Sequence, residues 1–510
     1  MTEIRSHRIT YFLLTVILLG GWFIRTYRTD QILGFYYDQG RDALIIWDLW
    51  HKGDFFLIGP TTGIAGIFRG PFYYYLIAPF YLISGGNPLG PAYFLAFTTL
   101  LAVVLLYYLG AKIQDRATGL FAALLGSFSF YIMVASRWLS NPTPMLLLSV
   151  VVVWMLWVIN KNISLKNRSN TLRLAWITLS FVSGMSLFHF GSAGEFFYFP
   201  AFAIFILWQL TKTKWKLSKV IDLTTLVLAI AAFLFTLAPQ VVFDFIHDQI
   251  LSNNIKKFFV DDESFKKNFW DVLQIRLPFY YDVFASKIFH WIRPREKVLL
   301  MVLAAAFIIR LPMMLKNDGI KIILILLVSP IIGLLFFQGN SGNVYDYYLT
   351  GYYLIFLLLV GIVLGQIWKF KIGKIFVLVF FYVFLSWNGM VTRYHIIAGV
   401  DGPQTVMYGN QKQAIDWLYQ DAAGRDFSVD VYVPPVIPYS YTYLFTWYGP
   451  EKYGYKPSDE QIELLYTVYE VDPPHPERLD AWFVRQMGIG SVEEEVKFGG
   501  VSVQRRKRFM

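Results

Sequence analysis

Apolar stretches of about 20 residues recur along the first 395 positions, divided by short polar segments. A helix of that length crosses the ~30 Å of hydrocarbon in a bilayer. The stretches lie at 9–26, 89–110, 118–135, 143–160, 173–190, 196–210, 220–239, 298–315, 321–337, 347–367 and 375–395, which predicts 11 spans. One further apolar run, 71–84, begins with Pro71, contains Pro79 and ends at Gly85-Gly86-Asn87-Pro88. It is too short for a full span and reads as a re-entrant or surface-lying helix.

The polar segments between the runs set the orientation. Those at 1–8, 111–117, 161–173, 211–219, 316–321 and 368–374 carry Arg5, Arg8, Lys112, Arg116, Lys161, Lys166, Arg168, Arg173, Lys212, Lys214, Lys216, Lys219, Lys316, Lys321, Lys369, Lys371 and Lys374. The alternating segments at 136–142, 191–195 and 338–346 hold Arg137 as their only basic residue. With the basic set in the cytoplasm the positive-inside rule is met throughout, the N-terminus is inside and the C-terminus outside. Were 71–84 a span, every later segment would invert. Two larger outer segments follow, a first loop at 27–88 and a long loop at 240–297.

In the first loop, residues 39–56 place Ala43, Ile46, Trp47 and Trp50 at helical spacing, with Arg41, Asp48 and Lys52 elsewhere. Such a helix can lie in the membrane interface. The character changes after residue 397. Helical periodicity at 410–423 is followed by strand-like runs at 427–433, 463–469 and 495–504, with a helix at 476–487. The expected fold class is a polytopic α-helical membrane protein (residues 1–397) with a small extracytoplasmic α/β domain (398–510).

Composition agrees: 56% of the 510 residues are hydrophobic and 16% charged, where a soluble chain carries about 25%. The net charge of +10 does not mark a nucleic-acid binder, because residues 398–510 hold 16 acidic against 11 basic side chains. The positive excess belongs to the membrane part. With no cysteine there is no disulfide, thiolate metal site or cysteine nucleophile. No phosphate-binding loop, nucleotide-binding glycine fingerprint or HExxH occurs, so no nucleotide, haem or flavin is expected. A divalent cation is left open, and no metal ligand set is assigned.

Asp38 and Asp42 stand four residues apart and share a face if 38–50 is helical. A carboxylate there can take a proton from an attacking hydroxyl. Arg41 and Arg69 occupy the same loop, and a guanidinium fork matches phosphate oxygens. The alternative is that these charges only solvate an interfacial loop. Arg137, Trp138 and Asn141 lie at the outer end of a span, where an arginine can also reach for headgroups. His189 and Glu195 flank the next outer turn, and Tyr345, Asp346, Tyr347 and Tyr348 open a late span, where an interfacial aromatic belt is the other explanation. Asp261-Asp262-Glu263 is either a cation ligand set or a charged loop. The sequons at Asn162 and Asn167 fall in the cytoplasm by this topology, and Asn141-Pro142-Thr143 is excluded by its proline.

This layout resembles the polytopic glycosyltransferases of the GT-C superfamily that use polyprenyl-phosphate sugars: the protein O-mannosyltransferases, the bacterial aminoarabinose transferases of lipid A and related family 39 enzymes. The likeness rests on Asp38 in the first outer loop, the amphipathic helix after it and Phe68-Arg69-Gly70-Pro71-Phe72-Tyr73-Tyr74-Tyr75. It continues in Gln114-Asp115-Arg116-Ala117-Thr118-Gly119, Ser136-Arg137 and Tyr347-Tyr348-Leu349. The family often pairs two acids in the first loop, where this chain has Asp38-Gln39, and frequently carries Asp where this chain has Asn141.

The resemblance implies an inverting transferase of the cell membrane whose donor sugar is carried on undecaprenyl phosphate or a similar lipid. Asp38 would be the general base, with Asp42 the nearest second carboxylate. Arg69, with Arg41 or Arg137, would hold the donor phosphate. Asn141, His189, Glu195, Tyr345 and Tyr347 would be donor or acceptor contacts, and the acceptor a lipid, glycan or protein. Two other readings remain: a transporter or flippase of a lipid-linked solute, and a surface-glycan polymerase or ligase. The first lacks an internal repeat, and the second places its chemistry in a late outer loop.

Overall fold

The computed structural model describes residues 7–62, 66–163, 170–260, 268–337, 342–398, 402–434 and 437–509. Among them, ten helices are long and apolar enough to cross a membrane: Arg8–Thr26, Leu89–Ile113, Met145–Asn162, Asn170–Phe190, Ala193–Lys212, Leu223–Ile246, Pro294–Met314, Asp318–Phe336, Asp346–Trp368 and Lys371–Ile397. The run expected as a straight span at 118–135 is instead two helices, Arg116–Phe128 and Phe130–Arg137, bent by 60°. Counting that pair as one gives 11.

The break is at Ser129, and four of the backbone groups at the bend find side-chain partners. Arg25 donates to the carbonyls of Gly126 and Ser127, both at 2.8 Å. Asn388 Oδ1 accepts from the Phe130 N–H at 2.8 Å, and Ser129 caps the second helix through Ile132 N–H. Within hydrocarbon a kink survives only when its polar groups are satisfied internally. Arg25 is therefore fully buried for a structural reason.

Burial sorts the helices. In Asp346–Trp368, 83% of the apolar window is enclosed by protein, whereas in Leu223–Ile246 only 11% is. The former is the axis of the bundle; the latter presents Leu223, Val227, Phe235 and Phe245 outward, as a lipid-facing helix does. Polar contacts gather at two poles. At one, Lys212 bonds Asp318 at 2.6 Å and Asn160 at 2.8 Å, Lys321 lies over Trp208, and Asn317 bonds the Ile113 carbonyl. The segments 111–117, 211–219 and 316–321 thus meet on one side of the bundle. At the other pole, Asn141 meets Phe190 and Ser192 meets Tyr347.

The run 71–84 forms a 12-residue helix, Phe72–Ile83, too short to span. The amphipathic segment is the helix Tyr37–Lys52, stopped by Gly53 in the left-handed conformation (φ +76°) that glycine adopts without strain. In the long loop 240–297, the span Leu223–Ile246 runs on into helices Ile250–Val260 and Phe269–Ser286. Asp261-Asp262-Glu263 and the sequon positions 164–169 lie outside the described residues.

The C-terminal part carries a four-stranded sheet of β1 (Ser428–Tyr432), β2 (Leu464–Glu470), β3 (Gly490–Phe498) and β4 (Val501–Arg508), ordered β1-β2-β4-β3. β1 and β2 are parallel and the other pairs antiparallel. The single strand expected at 495–504 is a hairpin: Gly499, at φ +62°, turns the chain between β3 and β4. Helices Tyr408–Ala422 and Pro476–Met487 are where periodicity places them, and two unpredicted helices, Tyr439–Thr446 and Tyr448–Tyr453, join them.

Candidate active site

The helix Tyr37–Lys52 starts where Gln39 Oε1 accepts from the Tyr36 N–H at 3.1 Å. Gln39 Nε2 donates to the Leu139 carbonyl at 3.2 Å. Gln39 thus ties the helix start to the segment after Arg137. Asp38 sits in the first turn, where a negative charge complements the helix dipole.

Asp38 and Asp42 do share a face, with Arg41 between them. Arg41 Nη1 lies 2.9 Å from Asp38, while Nε and Nη2 donate to Asp42 Oδ1 at 3.0 and 2.7 Å. The environments of the two acids diverge sharply. The Asp38 side chain is 59% exposed and that of Asp42 only 6%. Asp42 also accepts from the Tyr74 hydroxyl at 3.0 Å. Burial raises its carboxyl to about 6, against the opposing pull of Arg41 and Tyr74. Asp38 is reachable and Asp42 is enclosed. Arg41, expected as a phosphate ligand, is engaged by both carboxylates.

A short hairpin brings in the second arginine. Arg41 also reaches Thr61 Oγ1 at 3.4 Å, and Thr61 bridges Phe68 across the hairpin. Arg69 N–H donates to the Pro60 carbonyl at 3.0 Å, and Gly59 N–H donates to the Arg69 carbonyl at 2.7 Å. The half-buried Arg69 side chain donates to the Gly191 carbonyl. Burial lowers the affinity of its guanidinium for a proton, while Glu195, Tyr347 and Tyr348 pull it back up.

The floor under Arg69 is the C-terminal end of the span Asn170–Phe190, which finishes in a π-helical turn at Ser186–Phe190. That turn offers the Phe188 carbonyl to Gly70 N–H at 2.8 Å. A Cβ on Gly70 would lie 1.9 Å from the His189 ring, so the position admits no side chain. His189 is buried, with Nε2 2.7 Å from the Thr236 carbonyl and Nδ1 facing Phe72 N–H at 3.4 Å. Both ring nitrogens are engaged, which makes it a packing residue beneath the hairpin.

Glu195 is buried and its Oε2 accepts from Ser192 N–H at 2.6 Å. Asn141 donates to the Phe190 carbonyl at 3.2 Å. Tyr345 stacks on Tyr347 with ring centroids 5.5 Å apart, and Tyr347 meets Trp138 edge-on at 6.3 Å. Arg137 is turned elsewhere: its Nε donates to the Arg25 carbonyl at 3.0 Å, and its Nη2 reaches the Tyr27 carbonyl and Thr29. It closes the end of the first span, where four carbonyls lack helical donors.

The structure therefore gathers Asp38, Arg41, Asp42 and Tyr74 in one cluster and Arg69, Glu195 and Tyr347 in an adjoining one. Tyr74 lies in a motif visible in the sequence, but its bond to Asp42 crosses 32 positions. Lys287 is marked by no motif. It is buried between the rings of Tyr131 and Tyr353, 4.0 Å from Asp346, and burial pushes its ammonium down to about 8. Among the described residues, no group of three or more His, Asp or Glu side chains could hold a metal ion.

No protein-family model matches the chain, and no curated protein matches it by sequence. The likeness is in three dimensions. ArnT from Cupriavidus metallidurans superposes in the apo state with a TM-score of 0.62 at 11% identity, covering 97% of both chains. The same protein bound to undecaprenyl phosphate gives 0.58 at 12%, again with 97% of both chains. The oligosaccharyltransferase AglB from Archaeoglobus fulgidus, in complex with an inhibitory peptide and a dolichol-phosphate, gives 0.54 at 12%, covering 96% of this chain and 73% of AglB. The fold of this chain is that of ArnT, a multi-pass helical membrane body with a small C-terminal sheet.

Proposed function

We propose that this chain is an integral-membrane glycosyltransferase that moves a sugar from a polyprenyl-phosphate donor to a hydroxyl of a lipid, glycan or protein acceptor on the extracytoplasmic face. The reading is supported by the fold shared with ArnT and AglB, glycosyltransferases with lipid-linked donors. The observation that carries it is an exposed carboxylate, Asp38, clamped by Arg41, which also reaches the hairpin that carries Arg69.

In this reading Asp38 takes the proton from the acceptor hydroxyl. The freed oxygen attacks the anomeric carbon opposite the phosphate, the carbon–oxygen bond to the phosphate breaks, and the lipid phosphate departs with the electron pair. The sugar is inverted. Arg69 neutralises charge gathering on the leaving phosphate, an electrostatic role that is large in a site shielded from water. Asp42 and Tyr74 hold Arg41, and through it Asp38, in place. Glu195 and Tyr347 shape the surroundings of Arg69. Arg137 closes the first span. The N-terminus is cytoplasmic, the first outer loop and the C-terminal part are extracytoplasmic, and the chain divides into a membrane domain (1–397) and an α/β domain (398–510).

The test uses the purified full chain in proteoliposomes with a short-chain polyprenyl-phosphate sugar and a mixture of envelope acceptors. Transfer predicts free lipid phosphate together with a glycosylated product by mass spectrometry. Movement of intact donor across the bilayer with no cleaved lipid phosphate refutes it and identifies a flippase.

A further inference from the structure

The C-terminal part grips the acidic loop at several independent points. Tyr408 N–H donates to the Leu33 carbonyl at 2.9 Å, and Gly409 packs on the backbone of Gln31. Gln411 Nε2 donates to the Phe35 carbonyl at 3.0 Å, and the Tyr36 hydroxyl donates to the Val406 carbonyl at 2.8 Å. The helix Tyr439–Thr446 lies directly on the loop helix at Gly40, where a Cβ would sit 2.2 Å from Ser440 N. Tyr37 and Tyr439 meet with ring centroids 4.9 Å apart. Farther along, Trp447 Nε1 donates to the Gly85 carbonyl at 2.6 Å, and Tyr443 to that of Gly86. Asp38 is thus flanked on both sides in sequence, at Phe35–Tyr37 and at Gly40, by residues that the tail touches.

Behind these contacts sits one buried acid. Glu470, at the end of β2, accepts from Gln411 Nε2 at 3.2 Å and from the Tyr441 hydroxyl at 3.0 Å. Gln411 is the residue that holds the Phe35 carbonyl, and Tyr441 belongs to the helix pressed on Gly40. A single carboxyl therefore joins the two arms that bracket Asp38. None of its hydrogen-bond donors is a cation, so it is not a salt-bridge anchor.

We propose that Glu470 is a positioning residue: through Gln411 and Tyr441 it locks the C-terminal part onto the first outer loop, and that lock sets the orientation of Asp38. The C-terminal part is then a structural component of the site and not a detachable acceptor-binding module. For the turnover readout alone, this inference rests on the function proposed above.

The cysteine-free chain makes the test direct. Tyr37→Cys and Tyr439→Cys are introduced together, and their capture by a short bis-maleimide is timed in the full-length protein, in otherwise unaltered, Glu470→Gln and Glu470→Ala backgrounds. Loss of a buried acceptor leaves two donors unsatisfied, so Glu470→Ala is expected to slow cross-linking about tenfold, while Glu470→Gln, which can still accept both bonds, stays within about threefold. In chains without the cysteine pair, Glu470→Ala should lower kcat about tenfold with the donor KM unchanged, and Glu470→Gln should restore it. Cross-linking at the unaltered rate in Glu470→Ala overturns the proposal, as does loosened cross-linking with unchanged kcat. If Glu470→Ala yields no folded protein, Tyr441→Phe and Gln411→Leu replace it, with the same two outcomes. Cross-linking does not depend on the reaction: absence of any transfer by the unaltered chain would fail the proposed function and leave the docking result standing.

Discussion

Arg41 grips Asp42 from two nitrogens, at 2.7 and 3.0 Å, so a buried carboxylate and its counter-charge form a fixed platform one turn from Asp38. Removing the cation leaves a buried acid without its partner, a change of about 3 kcal/mol or more in comparable pairs, moderated here by protonation of Asp42. Arg41→Ala is expected to lower the melting temperature in detergent and abolish turnover. Adding Asp42→Asn removes the stranded charge, so the double variant should recover part of the melting temperature while remaining inactive. Thermal unfolding of the two proteins side by side checks this; equal destabilisation would show that charge compensation is not what the pair supplies.

Gly40→Ala tests the contact between the loop helix and the tail. Alanine is a better helix former, so an isolated helix would gain from the change. Here the new methyl meets the backbone of Tyr439 and Ser440, which cannot rotate away. The expected result is a loss of about 1–3 kcal/mol in stability and a strong fall in turnover. A more stable, fully active variant would mean that the two helices part readily.

Glu470 gives a pH signature. Burial raises its carboxyl from the ordinary value to about 7, opposed by hydrogen bonds from Gln411 and Tyr441. The folded protein therefore holds this proton more tightly than the unfolded chain does. Stability from this group is full below the unfolded pKa near 4.5 and is lost as pH rises through about 7. The melting temperature of the C-terminal part, followed by tryptophan fluorescence, should fall between about pH 5 and about pH 8, and Glu470→Gln should flatten that slope. An unchanged slope assigns the pH dependence to another group.

Arg69 is predicted to act on the donor. Arg69→Lys keeps a charge but loses the planar fork; the expected effect is a drop in kcat/KM for the lipid-phosphate sugar of about 10–100-fold, larger for Arg69→Ala. Kinetics against donor concentration decide it, and unchanged donor kinetics would leave the side chain only its bond to Gly191.

Much of the fold is legible in the apolar runs, because the bilayer demands long helices with internally paired backbones. Ten of the eleven predicted spans have a long helix of their own, and the short run with Pro79 forms a helix of only 12 residues. What the runs hide is the bend at Ser129: hydropathy is continuous through it, and the partners that make it tolerable, Arg25 and Asn388, are far away in the chain. Arg137 shows the same limit. Its type and depth fit a phosphate ligand, yet its direction is set by the carbonyls of Arg25 and Tyr27. Periodicity marks Asp38 and Asp42 as neighbours but cannot separate the exposed acid from the buried one, since Tyr74, which of the two bonds only Asp42, lies outside the helix. In the tail, Gly499 sits inside what looks like one strand and makes it two.

The proposed mechanism turns on the exposed carboxylate, and turnover of Asp38→Asn with a short-chain polyprenyl-phosphate sugar measures its role most directly. The substitution keeps the shape and the surface position and removes the proton acceptor. The expected result is a fall of about 100-fold or more in kcat, with donor affinity and melting temperature held. Near-normal turnover would contradict the assignment of Asp38 as the base.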